Sequence, residues 1–269
     1  LCASTVPSTS ILMQSTSNRF PNGLGNDSGE LGHNIMDHHL SVAASAKIEN
    51  YKEKYDKGRR PGGIYIPRFR NIGGNSNSKD FIRGYGYQGG AWRNSMSEVV
   101  AELKYGPKLK EAILKPGGWR IGVTGFGETL PDHNNKMYLD YDKLDEWGLP
   151  TVTFDADFGE NELAMRKDMK DQAVKMFKSA GYKDVEGYDS IDSRAMGLGI
   201  HEMGTARMGH DPKTSVLNKY NQIHTCKNVF VTDGSFMTSS ACQNPSLTYM
   251  AFTARAANYA AKQFKNGNL

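Results

Sequence analysis

The chain has 269 residues, of which 38% are hydrophobic and 23% charged, and this composition is typical of a folded globular protein. Its 33 basic and 29 acidic residues are interleaved and give a net charge of +4, so no basic tract indicates nucleic acid binding. No apolar run reaches the roughly 20 residues of a membrane span, so we expect a soluble protein, and the sequence does not distinguish the cytoplasm from the periplasm. The first residue is not methionine, which indicates a processed chain or a piece of a longer one.

The cysteine and histidine residues are the candidates for disulfide bonds and for a metal site. The chain has three cysteines, Cys2, Cys226 and Cys242. Their odd number and the lack of CxxC spacing disfavour a disulfide framework and a structural zinc site. The pair His38 and His39 follows Asp37 and suggests a metal site, but no third and fourth ligand lie at metal spacing. We therefore expect no bound metal.

The first half of the chain reads as a loop followed by β structure. Residues 1–36 hold clusters of Ser, Thr, Asn and Gly, and within them residues 22–29 predict an extended loop. Across residues 40–92, alternating apolar residues and two Gly-rich turns predict an antiparallel sheet. A short helical stretch is predicted at 97–103, and further strands are predicted at 119–123 and 136–139.

The second half contains two longer predicted helices. Across residues 161–180 the apolar residues recur at helical spacing, and Gly181 follows as a stop. The apolar face holds Met165, Met169, Ala173, Met176 and Phe177. We interpret it as core packing, because Met commonly fills irregular apolar gaps. A Gly-rich segment at 197–205 and a short buried strand at 229–231 lead to an Ala-rich helix at 245–264, with proline in its first position.

The sequence GYGYQG at 84–89 matches the GxGxxG fingerprint of dinucleotide-binding folds. That fingerprint needs a strand before it and a helix directly after it within a βαβ unit. Residues 90–94 continue instead as loop or strand. We therefore expect no pyrophosphate contact from these glycines.

Two polar residues stand out as candidates for a functional site. His201 lies among glycines, which let the backbone approach a bound group closely. Asn244 precedes a proline at a helix start, where Asn is most often an N-cap that bonds the first N–H groups. The same helix N-terminus would also attract an anion, and the two interpretations of Asn244 are compatible.

Several motifs near the C-terminus occur in the order and spacing of a known family. They are HEMGTARMG at 201–209, DP at 211–212, NVFVTDGS at 228–235 and NPSLT at 244–248. Together they resemble the C-terminal signature of the glucose-methanol-choline (GMC) oxidoreductases. The earlier motifs GE at 127–128 and DEWGLP at 145–150 are similar to the family's substrate domain. The front of the chain, at 3–13 and 32–38, resembles its flavin-domain crossover, although Ser4 and Thr9 depart from the family pattern.

The resemblance implies an α+β or α/β architecture in three stretches. Residues 1–39 would be a crossover segment of the FAD domain, and residues 40–196 would be a substrate-binding domain with an antiparallel sheet backed by helices. Residues 197–269 would be the C-terminal segment of the FAD domain and would carry the catalytic pair. The Rossmann-like FAD domain is thus expected as two segments, without the family's N-terminal ADP-binding part.

The resemblance also implies FAD-dependent oxidation of an alcohol. Family members pass a hydride to flavin N5 while a base takes the hydroxyl proton, and motif position assigns the base to His201 and the orienting role to Asn244. Neutral imidazole, with an ordinary pKa of about 6.5, suits the base, and an amide suits the hydrogen bond because it does not titrate. Motif position assigns flavin contacts to Ala3, Asp233, Gly234, Asn244, Pro245 and Ser246. A plain turn residue is the alternative for Asp233.

We expect the substrate to be a sugar, a glycoside or another polyol, with an electron acceptor that the sequence does not identify. The alternative is a non-catalytic fragment or subunit. It would bind substrate but would not hold FAD without the missing N-terminal half, supplied by the same or a separate chain. No nucleic acid partner and no membrane segment are expected.

Overall fold

The computed structural model of the protein describes residues 1–49, 51, 63–93, 106–107, 109–110, 117–193 and 195–269. The contacts divide the chain into two compact units. The first unit holds Leu1–His39, Glu128–Glu162 and Arg194–Leu269, and the second holds Leu40–Gly127 and Leu163–Ser193. The division into 1–39, 40–196 and 197–269 stays a prediction, and the contacts group residues 128–162 with the first unit.

Most of the predicted elements are present; the two long helices are shifted by one residue, and the strands predicted at 119–123 and 136–139 are longer than expected. The helices are α1 (Thr5–Gln14), α2 (Glu160–Ser179) and α3 (Ser246–Lys265). The strands are β1 (Val42–Ile48), β2 (Gly63–Ile66), β3 (Tyr85–Arg93), β4 (Trp119–Gly127), β5 (Lys136–Leu144), β6 (Pro150–Asp155), β7 (Lys183–Asp189), β8 (Gln222–Ile223) and β9 (Cys226–Phe230). The helical stretch predicted at 97–103 lies outside the described residues.

The second unit contains a five-stranded sheet in the order β2-β3-β4-β1-β7, and all its described pairings are antiparallel. This confirms the predicted antiparallel sheet. The GxGxxG sequence leads into and lies along β3, where a Cβ on Gly89 would collide with the backbone of β4. Gly89 therefore serves close strand packing, and most of the GxGxxG sequence lies on an antiparallel strand rather than at a turn from a strand into a helix.

Helix α2 packs against this sheet from Leu163 onward. Its buried residues Met165, Met169, Ala173 and Phe177 belong to one apolar cluster with Val42, Val123, Tyr85 and Tyr87 of the strands. The predicted core role of the methionine face is confirmed. After the helix, Gly181 adopts a φ of 80°, a left-handed conformation that glycine tolerates and that ends the helix as predicted.

The first unit begins with α1, a helix that the sequence patterns did not predict. The helix escapes a hydrophobic-pattern search because three of its four buried residues are polar, namely Thr5, Ser8 and Thr9 beside Leu12. Their hydroxyl groups bond to residues more than 190 positions away in the sequence. Hydrogen bonds to residues distant in the sequence therefore help to hold this helix in place. In most helices of globular proteins, burial of an apolar face has that role.

The first unit also contains the β5–β6 and β8–β9 pairs and α3. Its core is an apolar cluster that includes Leu12 of α1, Leu217, Ile223 and Phe236. Helix α3 confirms the predicted Ala-rich helix, but Pro245 lies just before it rather than in its first position. Among the described residues, no helix combines the length and the apolar character needed to cross a bilayer.

We expect Met169→Ala to destabilise the second unit by about 2 to 5 kcal/mol, because it removes a fully buried side chain from the interface between α2 and the sheet. The exposed Lys175→Ala on the same helix is the matched control and should change stability by less than about 0.5 kcal/mol. Unfolding in urea, followed by circular dichroism, measures both. Equal effects of the two substitutions would contradict the assigned core.

Candidate active site

The first unit brings together two residues that lie 43 positions apart in the sequence, His201 and Asn244. The Nδ2 atom of Asn244 lies 3.2 Å from Nε2 of His201. His201 is half-buried and Asn244 is exposed, so the pair stands at the surface of the unit. The two residues predicted as the catalytic pair are therefore adjacent, with their polar atoms facing each other.

A third residue, His38, completes this cluster from the other end of the chain. Its Nδ1 atom lies 2.9 Å from Nδ1 of His201, and its Nε2 atom is at hydrogen-bond distance from the carbonyl oxygen of Ala241. The two rings are nearly perpendicular, with centroids 4.9 Å apart. His201 thus contacts Asn244 through one ring nitrogen and His38 through the other.

The Asp37 carboxylate anchors the backbone on both sides of this histidine pair. Its Oδ1 accepts from the N–H of His38 at 2.8 Å and from the N–H of His201 at 3.3 Å. Its Oδ2 accepts from the N–H of Gly199 at 2.6 Å and of Gly197 at 3.3 Å. One buried side chain therefore holds the segment 197–201 and the residue that contacts His201.

The glycines around His201 serve this carboxylate. A Cβ on Gly199 would lie 2.5 to 2.7 Å from the Asp37 carboxyl atoms, so only glycine lets the backbone come so close. We expected these glycines to let the backbone approach a bound molecule. At Gly199 the backbone instead approaches the Asp37 side chain of the same protein. The next residue, Ile200, has a φ of 62°, which costs a β-branched residue about 1 to 3 kcal/mol. The bonds to Asp37 offset that strain.

Burial controls the protonation of the cluster. Desolvation, followed by the charge of Glu202, raises the pKa of Asp37 to about 7, against the effect of its backbone N–H partners. Desolvation lowers the pKa of His38 to about 4, and it also lowers the pKa of His201, which Glu202 partly offsets. Both rings are therefore neutral at neutral pH.

Helix α3 begins directly after Pro245, whose side chain makes no cap hydrogen bond. The amide nitrogen of Asn244 faces His201, and the role of Asn244 as an N-cap stays a prediction. The N-terminal end of this 20-residue helix, which carries positive potential, lies two residues after Asn244.

Three of the predicted flavin contacts lie together elsewhere in the first unit. Oδ2 of Asp233 accepts from the N–H of Ala3 at 3.1 Å and from the Ser8 hydroxyl, and Oδ1 accepts from the N–H and hydroxyl of Ser235. Gly234 packs so closely that a Cβ would collide with the Thr5 hydroxyl. Asp233 therefore ties the start of α1 to this turn, and its contact with a flavin stays a prediction.

A cavity of about 600 Å³ opens beside Asp233 and Gly234. Its walls include Cys2, Ser4 and Thr5 at the start of α1, Ile200 and Glu202 beside the histidine, and Tyr249, Met250 and Ala254 of α3. Its size lies in the range of small-molecule and cofactor pockets, and apolar walls with a few polar groups are typical of them. The residues present therefore fit part of a cofactor, with the cavity reaching from Gly234 to the residues on either side of His201.

The chain is similar to known proteins along almost its whole length. The GMC oxidoreductase family model matches residues 131–253. The chain is 30% identical over 98% of its length to 2-methyl-1,2-propanediol dehydrogenase of Mycolicibacterium austroafricanum, covering 48% of that protein. It is 26% identical over 99% of its length to the fructose dehydrogenase large subunit of Gluconobacter japonicus, covering 47% of it.

The chain belongs to the GMC oxidoreductase family. A solved structure of formate oxidase from Aspergillus oryzae RIB40 has a TM-score of 0.58 at 14% identity, with 99% of this chain and 54% of that chain covered. This structural similarity supports the fold described above. The chain spans about half the length of the curated relatives that it matches.

Sequence reasoning identified His201 and Asn244 in this GMC chain but missed Asp37 and His38 as parts of their cluster. The motif that contains them was considered only as a crossover segment and as a metal site. Among the described residues, no group of three His, Cys, Asp or Glu side chains is arranged to hold a metal ion. Only the fold shows that residues 37–38 reach residue 201, because no local pattern encodes a contact across 163 positions.

We expect Asp37→Asn to make the slope of stability against pH more positive than in the wild type. The pKa of Asp37 is about 7 in the folded protein against an ordinary value of 3.8, so the folded state keeps a proton that the unfolded chain loses, and this contribution to stability falls as the pH rises from about 4 to about 7. The lowered pKa of His38 has the opposite effect between about 4 and its ordinary value of 6.5, because there the unfolded chain holds the extra proton. Asparagine removes only the Asp37 contribution and leaves the opposing one. Thermal unfolding across this range measures the slope. The exposed Asp142→Asn should keep the wild-type slope, and an unchanged slope in Asp37→Asn would refute the assignment.

Proposed function

We propose that the protein takes part in FAD-dependent oxidation of an alcohol group on a sugar, glycoside or small polyol. The observation that carries this proposal is the contact between His201 and Asn244 in a chain of the GMC oxidoreductase family. An imidazole and an amide that face each other are suited to a single hydroxyl group, because one accepts its proton and the other bonds its oxygen.

The names of the relatives support the substrate class. They include a dehydrogenase of 2-methyl-1,2-propanediol, a fructose dehydrogenase subunit and paromamine 6'-oxidase of Streptomyces fradiae, which is 25% identical over 94% of this chain. All three names describe hydroxyl-bearing compounds of small or sugar-like size. The proposal accordingly covers both dehydrogenases and oxidases.

The cofactor proposal rests on the cavity beside Gly234. Asp233, Gly234 and the backbone near Ala3 would hold the middle part of FAD, while Pro245, Ser246 and Asn244 would lie at its ring. The GMC relatives are about twice as long, so we assign the ADP part of FAD to sequence outside these residues, in the same or a separate chain. Bound FAD would supply the hydride acceptor at its N5 atom.

His201 would act as the base. Its lowered pKa keeps the ring neutral, so a ring nitrogen is able to accept the hydroxyl proton at neutral pH. Asn244 would donate from Nδ2 to the substrate oxygen and stabilise the negative charge that grows there as the proton leaves. Asp37 holds the backbone of His201 in place, which contributes positioning rather than chemistry.

We expect His201→Ala to slow reduction of the flavin by an alcohol about 10²- to 10⁴-fold in the full-length holoenzyme, since it removes the base. Stopped-flow absorbance measures the rate, with a small diol, D-fructose and an amino sugar as trial substrates. The exposed His210→Ala is the matched control and should keep the wild-type rate. An unchanged rate in His201→Ala would refute the base role, and a full-length protein without flavin absorbance would refute the cofactor.

We expect Asn244→Ala to slow flavin reduction about 10²-fold while FAD stays bound, because the lost group stabilises charge in the transition state. Absorbance of the protein after gel filtration measures retained FAD, and stopped-flow kinetics measure reduction. Asn258→Ala, an exposed asparagine of α3, should leave both unchanged. The opposite pattern, with FAD lost and the rate per bound flavin kept, would show that Asn244 has a purely structural role.

A further inference from the structure

The contact between His38 and His201 joins two like atoms. Their Nδ1 atoms are 2.9 Å apart, a hydrogen-bond distance. A neutral imidazole carries one proton on one of its two nitrogens. For this contact to be a hydrogen bond, one Nδ1 must therefore carry a proton and the other must offer a lone pair.

The other side of the His38 ring decides which one donates. Its Nε2 atom is at hydrogen-bond distance from the Ala241 carbonyl oxygen, and a carbonyl oxygen only accepts. The proton of His38 is therefore on Nε2. Burial lowers the pKa of His38 to about 4, so the ring carries no second proton near neutral pH. Nδ1 of His38 is consequently an acceptor.

The position of the His38 proton also determines the position of the proton on His201. Its Nδ1 must be the donor to His38, and a neutral His201 has its remaining lone pair on Nε2. That nitrogen lies 3.2 Å from Nδ2 of Asn244, which carries only donor hydrogens. The two outer contacts have a fixed acceptor at Ala241 and a fixed donor at Asn244, and together with the contact between the rings they agree on a single arrangement of protons.

We infer that His38 is a positioning residue that holds His201 in the Nδ1–H tautomer, so that Nε2 is the atom that takes the proton of the substrate hydroxyl. The inference rests on the proposed base role of His201 for its consequence in turnover, but the tautomer itself is a property of the chain. A buried hydrogen bond to the distal ring nitrogen is how enzymes generally select a tautomer.

The neutral state of His38 affects the transfer of the proton to His201. The O–H bond of the alcohol breaks and an N–H bond forms at Nε2, which leaves His201 positively charged with its Nδ1–H still donated to His38. A carboxylate in place of His38 would favour a charged His201 before the substrate arrives. The Asp37 side chain is occupied by backbone N–H groups, and the charge of Glu202 only partly offsets the desolvation that lowers the pKa of His201.

Two substitutions of His38 separate its two hydrogen bonds. In His38→Asn, the amide oxygen is as many bonds from the backbone as Nδ1 is, so an acceptor for His201 is retained. In His38→Gln, the polar atoms are one bond further out, near the position of Nε2, and the acceptor at the Nδ1 position is lost. The two variants have similar polarity and differ in which neighbour they bond.

The test measures the tautomer directly. The full-length protein is labelled with ¹⁵N-histidine, the His201 signals are identified by comparison with His201→Ala, and long-range ¹H–¹⁵N correlation spectra show which nitrogen is protonated. We expect Nδ1–H in the wild type and in His38→Asn, and Nε2–H or a mixture in His38→Gln. Nε2–H in the wild type, or Nδ1–H maintained in His38→Gln, would overturn the inference.

Flavin reduction in the holoenzyme gives a second readout. His38→Gln should be about 10²-fold slower than the wild type and His38→Asn within a few-fold of it, because only the former loses the tautomer on which general base catalysis depends. If His38→Gln does not fold, the wild-type spectrum still decides the question. Failure of the proposed function would be distinct, since His201→Ala would then keep its rate whatever the tautomer of His201.

Discussion

The Asp37 carboxylate is the constraint on which the candidate site depends. It lies in the interior of the first unit and accepts four backbone N–H groups, two of them from the histidines that face each other. Burying a carboxyl group costs free energy unless hydrogen bonds compensate for its lost hydration. Here the same bonds that compensate for burial also define the path of residues 197–201, including the strained backbone at Ile200.

Desolvation has opposite effects on the acid and the bases of this cluster. It raises the pKa of Asp37 and lowers the pKa of both His38 and His201. Each group is thereby shifted toward its neutral form, as expected where charge is poorly solvated. The result is a chain of neutral hydrogen-bonding groups that runs from Ala241 through the two rings to Asn244, with a defined proton on each ring.

The two units are stabilised in different ways. The second unit follows the usual pattern, with an antiparallel sheet and the apolar face of α2 forming one cluster. The first unit has an apolar cluster too, but α1 is attached largely by polar contacts, from Ser8 to Asp233 and from Thr9 to Thr205. Buried hydroxyl contacts of this kind are specific in geometry, and they bring Ala3 and the turn at Gly234 beside the cavity.

The sequence alone determined the features that depend on local periodicity and on motif spacing. These are the antiparallel sheet, the helix with the methionine face, the C-terminal helix, the GMC family and the pair of His201 and Asn244. The tertiary structure alone decided that α1 is a helix and that Asp37 and His38 lie beside His201. The physical reason is that each of these depends on hydrogen bonds between residues distant in sequence, and a hydrogen bond leaves no periodic trace in the chain.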